Sequence, residues 1–201
     1  VMTTILDDVR AFELRQRPRH TPGEAGVWIF ILGDMSIFSA FFVTYLVYRS
    51  RDAALFNASA EHLKQVFGVI NTLLLLCSSL LVVVGIRAIR RMSTTIAPWC
   101  FVGAMVCGAG FATMKFLEYG DKVHHHITPN TNEFWMYFYI LTGLHFFHLL
   151  MGMGVLIYLT VKSRQSVLTV KEFAFVEGGA CFWHMVDVLW IVLFPLLYFV
   201  R

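Results

Sequence analysis

Residues 134–161 read FWMYFYILTGLHFFHLLMGMGVLIYLTV, a run of 28 positions without one Asp, Glu, Lys or Arg. A helix needs about 20 mostly apolar residues to cross the hydrocarbon core of a bilayer, and one that is apolar all round has no face to offer to water. Working outward, four more segments satisfy the same test: 27–48, 66–89, 96–119 and 176–200. The composition agrees, with 58% of the 201 residues hydrophobic and 14% charged, where soluble domains carry roughly 25% charge. Nineteen Phe are too many for one small core, and the mean hydropathy is +0.67. The expectation is an all-α integral membrane bundle of five transmembrane helices. A net charge of only +3 excludes nucleic acid as a partner. Cys77, Cys100, Cys107 and Cys181 lie in apolar stretches without a C-x-x-C pair, and are read as small buried hydrophobes.

The chain divides into a leader, residues 1–25, and a five-helix domain, residues 26–201. The leader carries Arg10, Arg15, Arg17 and Arg19 and reads as a short cytosolic helix ended near Pro18. The apolar run after it exceeds a signal-peptide core and lacks a cleavage pattern, so it reads as a retained span. Ten Lys and Arg fall on the side of the leader and six on the other. The excess places the N-terminus in the cytosol and the C-terminus in the periplasm. Lys115 and Lys122 were counted here with the outer charges.

Helical spacing supplies packing expectations. Asn71, Ser78 and Gly85 recur every seven residues, and Gly103, Cys107 and Gly110 share a face, as membrane helices that approach closely do. The first span aligns Phe30, Asp34, Ile37, Phe38, Phe41 and Tyr45 in a broad aromatic face.

Ionisable groups inside a bilayer are costly and ask for a partner or a function. The candidates are Asp34, Glu118, His145, His148, Glu177, His184 and Asp187. His145 and His148 share one helix face, Glu177, His184 and Asp187 another, and the two faces lie at similar depth, so they are expected to meet in a polar cluster. A haem or metal site is the sharper reading of that cluster. A hydrogen-bonded packing cluster is the favoured one, because two axial ligands must approach a haem from opposite sides, whereas these two histidines lie on the same side of one helix. His124, His125 and His126, with Asp121, read as a solvated outer loop rather than a metal site. Asp34 has no basic residue in its span. Apolar burial disfavours a charged carboxyl, so a proton-exchanging Asp34 stands beside a purely structural hydrogen bond to a neighbouring helix, a lipid head group or a partner chain.

The segments WIFILGDMSIFSAFFVTY (28–45), FLEYGD (116–121), LTGLHFFHLLMGMGVL (141–156) and FWHMVDVLWIVLFPLLYF (182–199) resemble subunit III of the haem-copper oxidases. PGEAGVWIFILGD (22–34) and WHMVDVLWIVLFPLLYF (183–199) resemble most its NorE-type branch, associated with nitric oxide reductase. The resemblance implies an accessory subunit of a bacterial inner membrane with no cofactor of its own. Its partner would be the catalytic subunit I of an oxidase, or of nitric oxide reductase, which carries haem and copper. The accessory subunit is expected to stabilise that partner and to sustain proton uptake. Asp34 matches the family's acidic position in its helix, and Glu118, His145, His148, His184 and Asp187 match other polar positions used for packing. Glu177 matches only the NorE-type branch. The resemblance also implies bound phospholipid, held in a cleft between the first two shared helices and the rest. The competing readings are a free-standing haem or metal membrane protein and a proton-conducting transporter; the latter would need a continuous polar path that Phe and Leu interrupt.

Overall fold

The computed structural model describes Gly23 and residues 25–91, 93, 95–165 and 168–199. The expected leader helix lies outside the described residues. Five long helices appear, α1 (Ala25–Arg51), α3 (Gln65–Arg90), α4 (Ile96–His124), α5 (Glu133–Lys162) and α6 (Val170–Tyr198), each long and apolar enough to cross a membrane. The last begins six residues before its apolar run, at Val170, and is capped by Thr169, whose hydroxyl exchanges hydrogen bonds with Glu172 in a capping box. The sequence reading did not anticipate α2 (Ala53–Ala60), a short helix capped by Asp52 Oδ1, which accepts from Leu55 N at 3.0 Å. It folds back over the side opposite to where α1 begins, called the far side below, and buries Phe56 against Phe134 of α5.

Helices α3 to α6 form the bundle proper, and α3 and α4 are its most intimate pair. Both small-residue stripes lie in this seam, each receiving side chains or backbone of the other helix. Ser78 Oγ donates to Ala104 O at 3.0 Å, Gly85 lies under Phe101, and Gly103 and Gly110 lie under Leu81 and Leu74. Against α6, α3 uses a second stripe displaced by one residue. Gln65 Nε2 donates to Tyr198 O, Trp190 Nε1 donates to Thr72 Oγ1 at 3.0 Å, and Ser79 Oγ bonds His184 Nδ1 at 2.7 Å. That register makes the pair antiparallel with a seven-residue repeat, the geometry of left-handed helix packing. Trp183 fills the centre: it is fully buried, donates to Ser78 Oγ at 3.1 Å, and lies against Gly108 and Gly152 of the neighbouring helices.

The first span attaches differently. The broad aromatic face narrows to the heptad Ile31, Phe38 and Tyr45, which is buried, while Phe30 and Ile37 remain exposed. Helix α1 packs on α5 and α6, whereas α3 packs on α4 and α6. The first two spans are therefore not a pair set apart from the rest by a cleft, as the resemblance implied, because the small stripes of α3 and α4 draw the second span into the bundle.

A methyl group added at Gly152 would meet Trp183 Cε3 at 2.6 Å, while one at Gly154 would meet nothing within 4 Å. Gly152→Ala is accordingly expected to cost about 1–3 kcal/mol by overpacking and to lower the melting temperature in detergent, with Gly154→Ala as the unaffected control.

Candidate functional site

The predicted polar residues do not gather into one cluster. They distribute over the seams between helices, one small group to each seam. His148 turns from α5 toward α1, where its Nε2 lies 3.1 Å from Asp34 Oδ2, and its Nδ1 lies 2.9 Å from Leu144 O. A carbonyl only accepts, so Nδ1 carries a proton, and Nε2 and Asp34 must share another. The dyad is therefore either a carboxylic acid donating to a neutral imidazole or an imidazolium donating to a carboxylate. The positions explain the meeting. Asp34 follows Ile31 by three residues and precedes Phe38 by four, which puts it on the buried heptad, and the Phe38 ring meets the edge of the His148 ring at 5.4 Å. The side chains are 14% and 6% exposed, so the dyad lies at the rim of the bundle.

His145, one turn away, lies inside. Its Nε2 donates to Val186 O at 3.1 Å, and its ring is held between Phe111 and Trp190 at 5.5 and 5.3 Å. His184 points from α6 to Ser79, and its Nδ1 is 3.9 Å from Asp187 Oδ2, beyond hydrogen-bond reach. Asp187 is buried, with no hydrogen bond to either oxygen among the described residues. Glu177 accepts from Arg90 Nη2 at 2.6 Å, tying α6 to α3 on the side where α1 begins. His125 follows the end of α4 with its Nε2 3.9 Å from Asp121 Oδ1, and Asp121 and His124 lie in the last turns of that helix rather than in a loop; both histidines are exposed.

Glu118 brings in two groups that sequence reasoning missed. Lys115 Nζ donates to Glu118 Oε2 at 2.6 Å and to Tyr198 Oη at 3.1 Å, and Tyr198 Oη donates to Glu118 Oε1 at 2.6 Å. All three side chains are buried, and the ammonium also lies 4.7 Å from the Trp190 ring centre. Lys115 therefore belongs to the bundle interior and not to the outer charges with which it was counted. Its signal was available: Lys and Glu three residues apart within an apolar run share a helix face. Lys122 is also buried, with Nζ donating to His62 O at 2.6 Å.

His145 and His148 do not fit a haem: His145 is closed in by aromatic rings, and His148 is engaged through both nitrogens. Among the described residues, no three of His, Cys, Asp and Glu come close enough together to hold a metal ion.

Breaking a buried ion pair by removing one member costs about 3–5 kcal/mol, because the other charge is left uncompensated. Lys115→Met should therefore destabilise the chain by that order in thermal unfolding, and adding Glu118→Leu should recover most of the loss.

The comparisons with known proteins agree with this architecture. The family model of cytochrome c oxidase subunit III matches residues 20–201. The chain is 32% identical over 193 residues to cytochrome c oxidase subunit 3 of Synechocystis, covering 89% of this chain and 81% of the relative. It is 29% identical over 175 residues to quinol oxidase subunit 3 of Bacillus spizizenii, covering 86% and 84%. Against cytochrome c oxidase subunit 3 of Alkalihalophilus pseudofirmus it is 30% identical over 180 residues, again covering 86% and 84%. Five apolar spanning helices and bacterial relatives make it a multi-pass protein of a bacterial inner membrane. The chain belongs to the cytochrome c oxidase subunit III family and is an accessory subunit of a haem-copper oxidase.

Proposed function

We propose that this chain packs on the catalytic subunit of a bacterial terminal oxidase, stabilises it and supports its proton uptake during aerobic electron transport. The catalytic subunit supplies haem and copper, and this chain supplies a scaffold and one proton-holding dyad. The observation that carries the reading is the Asp34–His148 pair: one proton shared between two heavy atoms 3.1 Å apart, at the rim of the bundle. An apolar groove of about 330 Å³ between α1, α5 and α6, lined by Val27, Phe30, Met151, Val155, Phe175 and Phe182, adjoins the dyad through Phe30 and Phe182 and suits a phospholipid chain. Under the orientation given by the positive charges, Asp34 lies in the cytosolic half, where proton uptake begins. A second reading, support of nitric oxide reductase, is favoured by the opening PGEAGVWIFILGD.

Two measurements test the proposal. Extracted in mild detergent, the chain should co-purify with a larger subunit that shows a Soret band; recovery of this chain alone at full cellular oxidase activity would overturn the reading. Reduction of oxygen or of nitric oxide by that complex separates the two readings. Asp34→Asn keeps an oxygen to accept from His148 but cannot bind or release the proton. It should leave assembly intact while slowing proton uptake or bringing turnover-dependent loss of activity sooner, and unchanged kinetics would reduce Asp34 to packing.

A further inference from the structure

Among the described residues, hydroxyls that reach the outer surface of the bundle at membrane depth are satisfied by their own helix, whereas one imidazole there keeps an unbonded nitrogen. The exposed hydroxyls of Ser36, Ser39, Thr44 and Thr113 each donate to the carbonyl four residues earlier, at 2.7–2.9 Å. The exception is His184. It is the middle residue of α6 and therefore lies at mid-membrane depth, its side chain is 33% exposed, and only its Nδ1 is bonded, to Ser79. Its Nε2 makes no hydrogen bond among the described residues. Behind it, Asp187 is 4% exposed, with both oxygens also without a hydrogen-bond partner. Around it the surface is apolar: Leu76 and Leu80 of α3, Val188 and Ile191 of α6.

Hydrocarbon offers nothing to an imidazole nitrogen, and an unsatisfied polar group there is costly. The surface therefore has the make-up of a protein contact, an apolar patch around one directional polar atom. We propose that the outward face of α3 and α6 around His184 docks a transmembrane helix of the haem-bearing subunit, one that presents a hydrogen-bonding side chain to His184 Nε2 at mid-membrane depth. This rests on the reading above that such a subunit is the partner. A second copy of this chain fits less well, because a two-fold contact sets like groups opposite each other, imidazole against imidazole with a buried Asp187 behind each. Lipid tails fit least, for want of any donor or acceptor.

The test is photo-crosslinking in intact membranes. A benzophenone side chain is placed at Leu80 or Val188 beside His184, and, at similar depth on other faces, at Ile37, Val106 or Phe147. Adducts with the haem-bearing subunit should form from Leu80 and Val188. Such adducts from another face alone, or only lipid or self-adducts from Leu80 and Val188 while the complex still co-purifies, would overturn the proposal and leave the partner reading standing. Failure of the complex to co-purify at all would overturn the partner reading itself. In the same membranes His184→Leu should weaken retention of the complex about three- to tenfold, the range of one interhelical hydrogen bond, while His184→Gln retains it. Equal loss in both variants, or none in either, would overturn the role assigned to Nε2.

Discussion

Hydrocarbon provides no hydrogen-bond partner, and this one constraint organises the bundle: most polar side chains at membrane depth are answered by their own or a neighbouring helix, with Asn71, Asp187 and His184 Nε2 as exceptions among the described residues. Because lipid tails are as apolar as Leu, burial of apolar surface does not by itself drive the helices together. Close approach and polar pairing do. The seam between α3 and α4 is closed by small residues. The seam between α3 and α6 is stitched along its length from Gln65 and Tyr198 at one end to Arg90 and Glu177 at the other. The far end of α6 is locked to α4 by Lys115, Glu118 and Tyr198. Trp183 fills the space left by Gly108 and Gly152 at the centre.

Helix α1 is held more lightly, and that difference bears on function. It packs through the heptad Ile31, Phe38 and Tyr45 with flanking side chains such as Val27 and Tyr48, and Asp34 bonds His148 of α5. The same pairing that fixes α1 on α5 is the contact on which the proposed part in proton uptake rests. It lies at the rim of the bundle, beside the apolar groove between α1, α5 and α6.

Much of this was legible in the sequence, for physical reasons that can be assigned residue by residue. Length and the absence of charge identify the five spans. Helical spacing identifies the faces of Asn71, Ser78 and Gly85, and of Gly103, Cys107 and Gly110, as packing surfaces, and both lie in the seam between α3 and α4, though each meets larger side chains or backbone rather than the other stripe. What helical geometry cannot give is which neighbour a face meets. His148 and His184 share depth, yet one turns to α1 and the other to α3, because the bundle surrounds α5 and α6 with helices on several sides. Lys115 was assigned to the wrong environment for a related reason. Positive charges near a span end are ordinarily solvated, and only the partners Glu118 and Tyr198, the latter 83 residues away in sequence, make its burial tolerable. Helix α2 escaped notice because eight residues carry too little periodicity to be read.

The account is tested most directly at the contact on which α1 depends. A double-mutant cycle combining Asp34→Leu and His148→Leu, read from the unfolding free energy of the chain in detergent micelles, isolates the energy of that pair from the packing changes of each substitution. A coupling of about 0.6–1.7 kcal/mol, the range of interhelical hydrogen bonds in membranes, is the predicted result. Additive effects to within about 0.3 kcal/mol would contradict it and show that α1 is held by its apolar heptad alone.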